Sequence, residues 1–499
     1  MPRVRSAEVH ELEIERLDSE GRGVGRTPEG RVVFVTDALP GQRVRVRLGR
    51  GRKKWAEGRL LEVLRESPHR VEPPCVHFWS CGGCRLQHLD YPQQLEAKTA
   101  QVREALIHLG RQTDPPVAAC EPSPRRWGYR NKMEYSFGEQ RWLEPGEFGE
   151  TGASRPPDAS GTSEVSGRPG TSGAPGVPHA PGAADRTGLG LHPRGRWDRV
   201  IHLRECHLPE PRSVEILRHV QRAPECSRRP AYSSRTHSGY WRFLVVRQGV
   251  RTGQWLVDVI TAPSREGHGE VESLVRSLLA EFPDLTTITH TISSSPAAVA
   301  TGEEHRVHFG PGWIEEEVGG LRFRLSPRSF FQTNTEAAER LYELAGEAAG
   351  LSGLERVWDV YCGTGTIALL LARFSAEVIG FESEPAAVID ARENAERNGI
   401  GNVRFVEGDA AALPVSGISE EPPDVVVVDP PRAGLHPEAR NRLLELSPPR
   451  IVYISCNPAT LARDVQEFVT GGYRLDSVCP IDLFPHTAHV ESVTLLTRR

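Results

Sequence analysis

Residues 358–366 read WDVYCGTGT, and the fold turns on them. They lie between a helical pattern at 335–349 and an apolar run at 367–372, so the implied order is helix, strand, glycine turn, helix. Gly363 and Gly365 allow a tight turn and a close approach of backbone to a ligand, and the next helix offers its N-terminus. A GxG pair alone carries little weight, so the spacing around it matters. Residues 378–381 read as a second strand ending at Glu382, near where a βαβ unit places a ribose-binding acid. A carboxylate there accepts hydrogen bonds from both ribose hydroxyls. A third strand, 403–406, stops just before Glu407, Gly408 and Asp409, placed to meet an adenine edge. A nicotinamide enzyme would show GxGxxG, whereas the third glycine position is Ala368 and no hydride chemistry is evident. S-adenosylmethionine fits better.

Two further strand ends carry chemistry. Residues 424–435, DVVVVDPPRAGL, hold four consecutive valines, the signature of a parallel strand buried on both faces. Asp429 stands at its end, and two prolines stiffen the turn that follows. Asp-Pro-Pro also occurs in base amino-methyltransferases, commonly with an aromatic next; Arg432 stands here and suits a phosphate or an anionic base better than a stacked aminopurine. Residues 451–464, IVYISCNPATLARD, set Cys456 in a turn between a strand (452–454) and a helix (459–468). A lone cysteine is often a buried filler, but the carboxyl end of a strand in an open α/β sheet is where ligands bind.

These stretches closely resemble the RNA uracil-C5 methyltransferases, which make 5-methyluridine in ribosomal and transfer RNA. The resemblance covers SFFQTN (329–334), DVYCGTGT, Glu382, DPPRAGL, SCNPATLARD and the terminal FPHTAHVES with Glu491. It implies that Gln332, Tyr361, Thr366, Glu382, Asp409 and Asp429 line the methyl-donor and base sites, with Cys456 as nucleophile and Glu491 as base. Thr366 falls where the family often has asparagine. The chemistry requires those types: uracil C5 is a poor nucleophile until a thiolate adds at C6, and a base must then remove the C5 proton. The bland alternative for Glu491 is a salt bridge on a final strand, 490–497.

Cys75, Cys81 and Cys84 form CVHFWSCGGC, with Gly82 and Gly83 letting the backbone wrap an inorganic centre. Structural zinc usually shows paired C-x2-4-C knuckles, and uneven spacing suits an iron–sulfur cluster better. Cys120, Cys206 and Cys226 are candidates for a fourth ligand. The resemblance favours Cys206, which sits as it does in relatives carrying a [4Fe-4S] cluster.

The N-terminal 66 residues show short strands at 11–14, 31–36, 42–48 and 55–64, separated by glycines at 21–25 and by Pro40 with Gly41, as in a small β-barrel. Arg43, Arg45, Arg47, Arg50, Arg52, Lys53, Lys54 and Arg59 cluster around Trp55, a face suited to a phosphate backbone and a stacked base, though also to a solvated surface. GRGVGR and VFVTDALPGQRVRV resemble the TRAM RNA-binding domain. Net charge −5 and a pI near 6.4 argue mildly against nucleic acid binding, but averages hide patches.

The expectation is a multidomain α/β chain. It comprises a TRAM/OB-like barrel (1–66), a central α+β cluster-bearing domain (67–325) and a C-terminal doubly wound Rossmann-like methyltransferase domain (326–499). Residues 125–138 read as a strand offering Arg130, Asn131 and Lys132 to RNA, and 241–246 with 255–260 as hairpin strands. The stretch at about 150–185, rich in Gly, Pro, Ser, Ala and Thr, is expected to be disordered or a long surface loop. No run of about 18 apolar residues is present, so no membrane association and a cytoplasmic location are expected. No obligate protein partner is evident. The cysteines and barrel resemble the 23S ribosomal RNA branch, with transfer RNA as the alternative substrate. Rival readings are a base amino-methyltransferase and a non-catalytic RNA-binding or iron–sulfur scaffold.

Overall fold

The computed structural model describes residues 8–143, 187–413 and 422–499, and every statement below concerns those residues. The insertion expected at about 150–185 lies outside them. Strands β1 (Val9–Leu17), β2 (Gly23–Arg26), β3 (Val32–Val35), β4 (Arg43–Arg52) and β5 (Trp55–Arg65) close a barrel in the order β1-β2-β3-β5-β4. Alternation explains the closure: Leu12, Ile14, Val33, Val35, Val44 and Val46 fill the interior while the β4 arginines between them face outward. The glycines at 21–25, expected to separate strands, instead supply β2. A Cβ at Gly25 would stand 2.6 Å from the Glu13 carbonyl oxygen, so a side chain there would prevent β1 and β2 from pairing.

Helix α1 (Tyr91–His108) follows, with Asp90 capping its N-terminus. The central region adds β6 (Lys132–Gly138), β7 (Arg141–Trp142), β8 (Gly188–Gly190), β9 (Val200–Ile201), α2 (Pro211–Val220), α3 (Ala223–Ser227), β10 (Trp241–Gln248), β11 (Trp255–Thr261), α4 (Gly269–Glu281), β12 (Thr287–Ile292) and β13 (Glu304–Phe309). Six of these strands form one sheet in the order β13-β12-β11-β10-β6-β8, and β10 and β11 are the expected antiparallel pair. The expected strand at 125–138 begins only at Lys132. Helices α2 and α4 bury Ile216, Leu217, Val271 and Leu278 against one face, with Tyr135, Leu244 and Val257. Lys132, Glu134 and Ser136 of β6 occupy the opposite face, paired with Arg247, Val245 and Phe243 of β10.

A hairpin, β14 (Ile314–Val318) and β15 (Leu321–Leu325), leads into α5 (Thr335–Ala349), β16 (Arg356–Val360), α6 (Thr366–Ala372), β17 (Glu377–Glu382), α7 (Pro385–Arg397), β18 (Val403–Glu407), β19 (Val425–Val428), α8 (Pro437–Leu446), β20 (Arg450–Ser455), α9 (Pro458–Thr470), β21 (Tyr473–Ile481) and β22 (Glu491–Arg498). Their seven-stranded sheet has the order β18-β17-β16-β19-β20-β22-β21, with β16 to β20 parallel and β22 antiparallel to both neighbours. The four valines of β19 show why the sheet is doubly covered. Val425 and Val427 enter the core with α5 to α7, whereas Val426 and Val428 enter the core with α8 and α9. Segments from before residue 326 join these cores: the β14–β15 hairpin and Leu256 on the first side, and Val102 and Leu106 of α1 with Val117 and Cys120 on the second. The strand order reverses between β16 and β19, which puts the ligand crevice outside the carboxyl ends of those strands. No helix among the described residues is long and apolar enough to cross a membrane.

Candidate active site

The turn after β16 forms the first wall of the crevice. Tyr361 adopts a left-handed backbone (φ 69°), rare for a non-glycine residue, and Gly363 (φ 54°) follows. The N–H groups of Tyr361 and Cys362 both donate to the Phe381 carbonyl oxygen at 3.0 Å, pinning the turn to the end of β17. Glu382 completes the clasp: one carboxylate oxygen accepts from the Gly363 N–H at 3.0 Å and the other from the Glu384 N–H at 2.9 Å. Nothing lies within 4 Å of where a Cβ would stand at Gly363 or Gly408, so both face open space that a ligand can occupy. Asp409 accepts from the Ala411 N–H at 2.9 Å and caps a short turn beyond β18, while the Gly408 N–H donates to the Glu382 carbonyl oxygen. The Tyr361 phenol feels Asp409 and Glu382, and burial is the main cause that pushes it to about 12. Tyr361, Glu382 and Asp409 are thus gathered into one wall. Thr366 is the first residue of α6, 7% exposed. Gln332 is buried in the turn before α5, and its carbonyl oxygen accepts from the Asn131 side chain at 2.9 Å.

The second wall is built from three strand ends. Asp429 follows β19, Cys456 follows β20, and Glu491 opens β22, which pairs with β20 through Ser455 and Ser492. Asn457 caps α9, accepting from the Ala459 N–H at 3.1 Å, and its side-chain amide donates to the Arg432 carbonyl oxygen at 3.0 Å. That bond ties the cysteine turn to the Asp-Pro-Pro-Arg turn. Burial, then the nearby Glu491 and Asp429 carboxyls, push the Cys456 thiol up to about 11, and Arg432 partly offsets them. Burial holds Asp429 up at about 7 and Glu491 well above the usual carboxyl range. Two residues not singled out in the sequence close the inner side. Asp359 of β16 is fully buried and pushed to about 8, by burial and then by Asp429. Tyr342 of α5 lies within electrostatic reach of Asp429, Asp359 and Glu491. Their only sequence signal was a polar atom at an otherwise apolar core position.

The loop that delivers Glu491 is held from outside the sheet. The His486 carbonyl oxygen accepts from the N–H groups of Arg85 and Leu86, both at 2.9 Å, directly after Cys84. Trp127 stacks on the His486 ring at 3.7 Å. Gln94 of α1 accepts from the His486 N–H at 2.9 Å, and Lys98 pairs with Asp482 at 2.5 Å, both side chains buried.

The four thiols expected together are neighbours. Cys206 lies within electrostatic reach of Cys84, Cys81 and Cys75, whereas Cys120 neighbours Asp482 and Cys479, and Cys226 is exposed. All are free thiols, and Cys75, Cys84 and Cys206 pack around Phe78 and Tyr129. Among the described residues no group of three or more His, Cys, Asp or Glu side chains is arranged to hold a metal ion, so the thiols are adjacent without forming a closed ligand set.

Comparison with known proteins gives the same two ends. Residues 3–61 match the TRAM domain and residues 351–470 a methyltransferase domain. An uncharacterized RNA methyltransferase of Nitratidesulfovibrio vulgaris is 38% identical over 98% of this chain and 96% of its own length. One from Chlorobaculum tepidum is 36% identical over 99% and 98%. The solved structure of Pyrococcus abyssi tRNA (uracil-54, C5)-methyltransferase in complex with S-adenosyl-L-homocysteine superposes with a TM-score of 0.71 at 27% identity, covering 98% of this chain and all of that one. Likeness of this extent, over barrel, centre and crevice together, makes the chain an S-adenosylmethionine-dependent RNA methyltransferase that belongs to the uracil-C5 family.

Proposed function

We propose that the chain transfers a methyl group to C5 of a uridine in RNA, with Cys456 as nucleophile and Glu491 as base. The observation that carries this reading is the meeting of one thiol, two buried carboxyl groups and the Arg432 guanidinium at three adjacent strand ends. S-adenosylmethionine supplies an electrophilic sulfonium methyl and one positive charge. Cys456 gives up its thiol proton to solvent, its Sγ thiolate adds to C6 of the uracil, and the C5–C6 electron pair moves onto C5 as an enolate delocalised to O4, a charge that the Arg432 guanidinium would stabilise. C5 takes the methyl group, Glu491 then accepts the C5 proton, and the Sγ–C6 bond breaks to restore the ring double bond and the thiolate. Burial raises the Glu491 carboxyl well above the usual range, which strengthens it as an acceptor for the C5 proton. Tyr361, Glu382, Asp409, Gln332 and Thr366 hold the donor in this reading.

Denaturing-gel analysis with 5-fluorouridine-substituted RNA tests it, because fluorine at C5 cannot leave as a proton. Wild type should form a stable adduct, Cys456→Ala should form none, and Glu491→Gln should accumulate a methylated adduct even on ordinary uridine RNA. A Cys456→Ala variant with full turnover would instead mean a direct transfer, as in base amino-methyltransferases. We place the target in 23S ribosomal RNA because the four neighbouring thiols and the barrel resemble that branch. The archaeal structure with matching architecture acts on transfer RNA, which favours transfer RNA as the second reading. Parallel assays on the two RNAs separate them.

We also propose that Cys75, Cys81, Cys84 and Cys206 hold a [4Fe-4S] cluster. The adjacency of these four thiols, with Cys120 and Cys226 elsewhere, supports it. Iron and sulfide content with the visible absorption of anaerobically purified protein checks it, and Cys206→Ser should lose both where Cys226→Ser does not. Nine free thiols suit a reducing compartment, and we place the reaction in the cytoplasm.

A further inference from the structure

We propose that a cavity at the far end of the central sheet holds an unpaired base of the RNA substrate, flanking the nucleotide that is modified; this rests on the function proposed above. The cavity is an open cleft between the end of β6, the loop before β9 and the loop before β10. Its place on the sheet links it to the reaction. Asn131, just before β6, donates to the Gln332 carbonyl oxygen in the catalytic turn, and Ser136, near the other end of that strand, lines the cavity. At about 3.4 Å per residue the two points are roughly 17 Å apart, joined along β6 by Lys132 and Glu134. Arg247 donates to the Ser326 carbonyl oxygen at 2.6 Å, so this sheet is continuous with the catalytic loop. An RNA strand leaving the crevice along the partly exposed Lys132 and Glu134 side chains of β6 reaches the cavity within a few nucleotides.

The lining fits a base better than a phosphate. Trp197 stands on the rim, 63% exposed, a large ring open to a ligand. Tyr232 lines the same cavity, with the Arg242 guanidinium 4.2 Å from its ring centre. Arg242 is buried and donates to the Ser293 and Ala297 carbonyl oxygens, so its charge is anchored in the wall. Arg235 is paired with Asp198 at 2.8 Å, and Glu139 accepts from the Ser233 hydroxyl. Each guanidinium is thus already engaged, Arg196 and Arg235 on Asp198 and Arg242 on carbonyl oxygens, which leaves a cavity with aromatic rings and polar edges. That is the chemistry of a stacked, hydrogen-bonding heterocycle, and stacking on an aromatic side chain contributes substantially to single-stranded binding.

Photo-crosslinking with 4-thiouridine-substituted ribosomal and transfer RNA, followed by mass spectrometry of the linked peptides, tests the site on the full chain. A nucleotide attached to the peptide containing Trp197 or Tyr232 is expected. Trp197→Ala should lose that link and raise KM for whole RNA about 10-fold with kcat held within about twofold, and Trp197→Phe should restore KM. An RNA that the enzyme methylates but that never links at the cavity, or an unchanged KM in Trp197→Ala, would overturn the proposal, as would protection of the cavity by free mononucleotides alone. Links at the cavity without any 5-methyluridine formed by wild type would uphold the base site while refuting the proposed reaction.

Discussion

At the strand ends the chain buries more acid than it neutralises. Burial holds Asp429 near 7 and Asp359 near 8, while the Arg432 guanidinium acts on Cys456 and Glu491. A cationic donor entering this site favours the ionised carboxylates, so proton release should accompany its binding. Titration calorimetry near neutral pH in buffers of different ionisation enthalpy should therefore show a proton released on binding S-adenosylmethionine, and little for the uncharged S-adenosylhomocysteine. Asp429→Asn should reduce the difference. The same shift sets a stability slope. Asp359 keeps its proton in the folded chain up to about 8 but loses it near 3.8 when unfolded, so its contribution is complete at low pH and is lost as pH rises through that window. Asp359→Asn should flatten the fall in melting temperature across it. Cys456, Glu382 and Asp409 were legible because they end strands whose apolar runs are plain in the sequence. Asp359 and Tyr342 were not, because each lies inside a strand or helix whose pattern reads as core.

At the scale of elements, α1 shows how a helix can be decisive and still unreadable. It buries Gln94 and Lys98 along with Val102 and Leu106, so its inner face has no apolar period, and no helix was expected there. Both polar residues serve the loop 482–489. The Gln94 amide also donates to the Leu86 and Leu89 carbonyl oxygens at 2.9 and 2.8 Å, joining the loop to the segment after Cys84. Lys98→Met leaves Asp482 buried without its partner and should cost about 3 to 5 kcal/mol in urea unfolding; the double variant Lys98→Met/Asp482→Leu should recover much of it. Gln94→Leu frees the His486 N–H and should lower kcat for methyl transfer while KM for the donor stays near wild type. The terminal motif carrying Glu491 was visible as a string of residues. What holds it was not, because its partners lie nearly 400 positions away in the chain.

At the scale of the molecule, the overall charge of −5 conceals a division of labour. On the barrel, Arg43 and Arg45 are spent on Glu11, and Arg45 also on Glu62, so part of the basic run read from the sequence is a paired surface. Arg47, Arg50, Arg52, Lys53 and Lys54 are exposed, and no ion pair among the described residues engages them. These are the charges free to release counterions from a phosphate backbone. Sequence proximity could not make that distinction, because pairing is decided by register: Arg45 lies opposite Glu11 on β1 and Glu62 on β5, while Arg50 to Lys54 project past the end of β1. Replacing Arg50, Arg52, Lys53 and Lys54 by alanine should therefore shallow the dependence of log affinity on log salt by up to about 3, at roughly 0.7 per single-stranded phosphate contact. The rate of methyl transfer at saturating RNA should stay unchanged, since none of the four touches the crevice. Fluorescence titrations across a salt series measure the slope directly. An unaltered slope would move the phosphate contacts off the barrel and onto the central sheet face, leaving the TRAM fold a structural role in place of an electrostatic one.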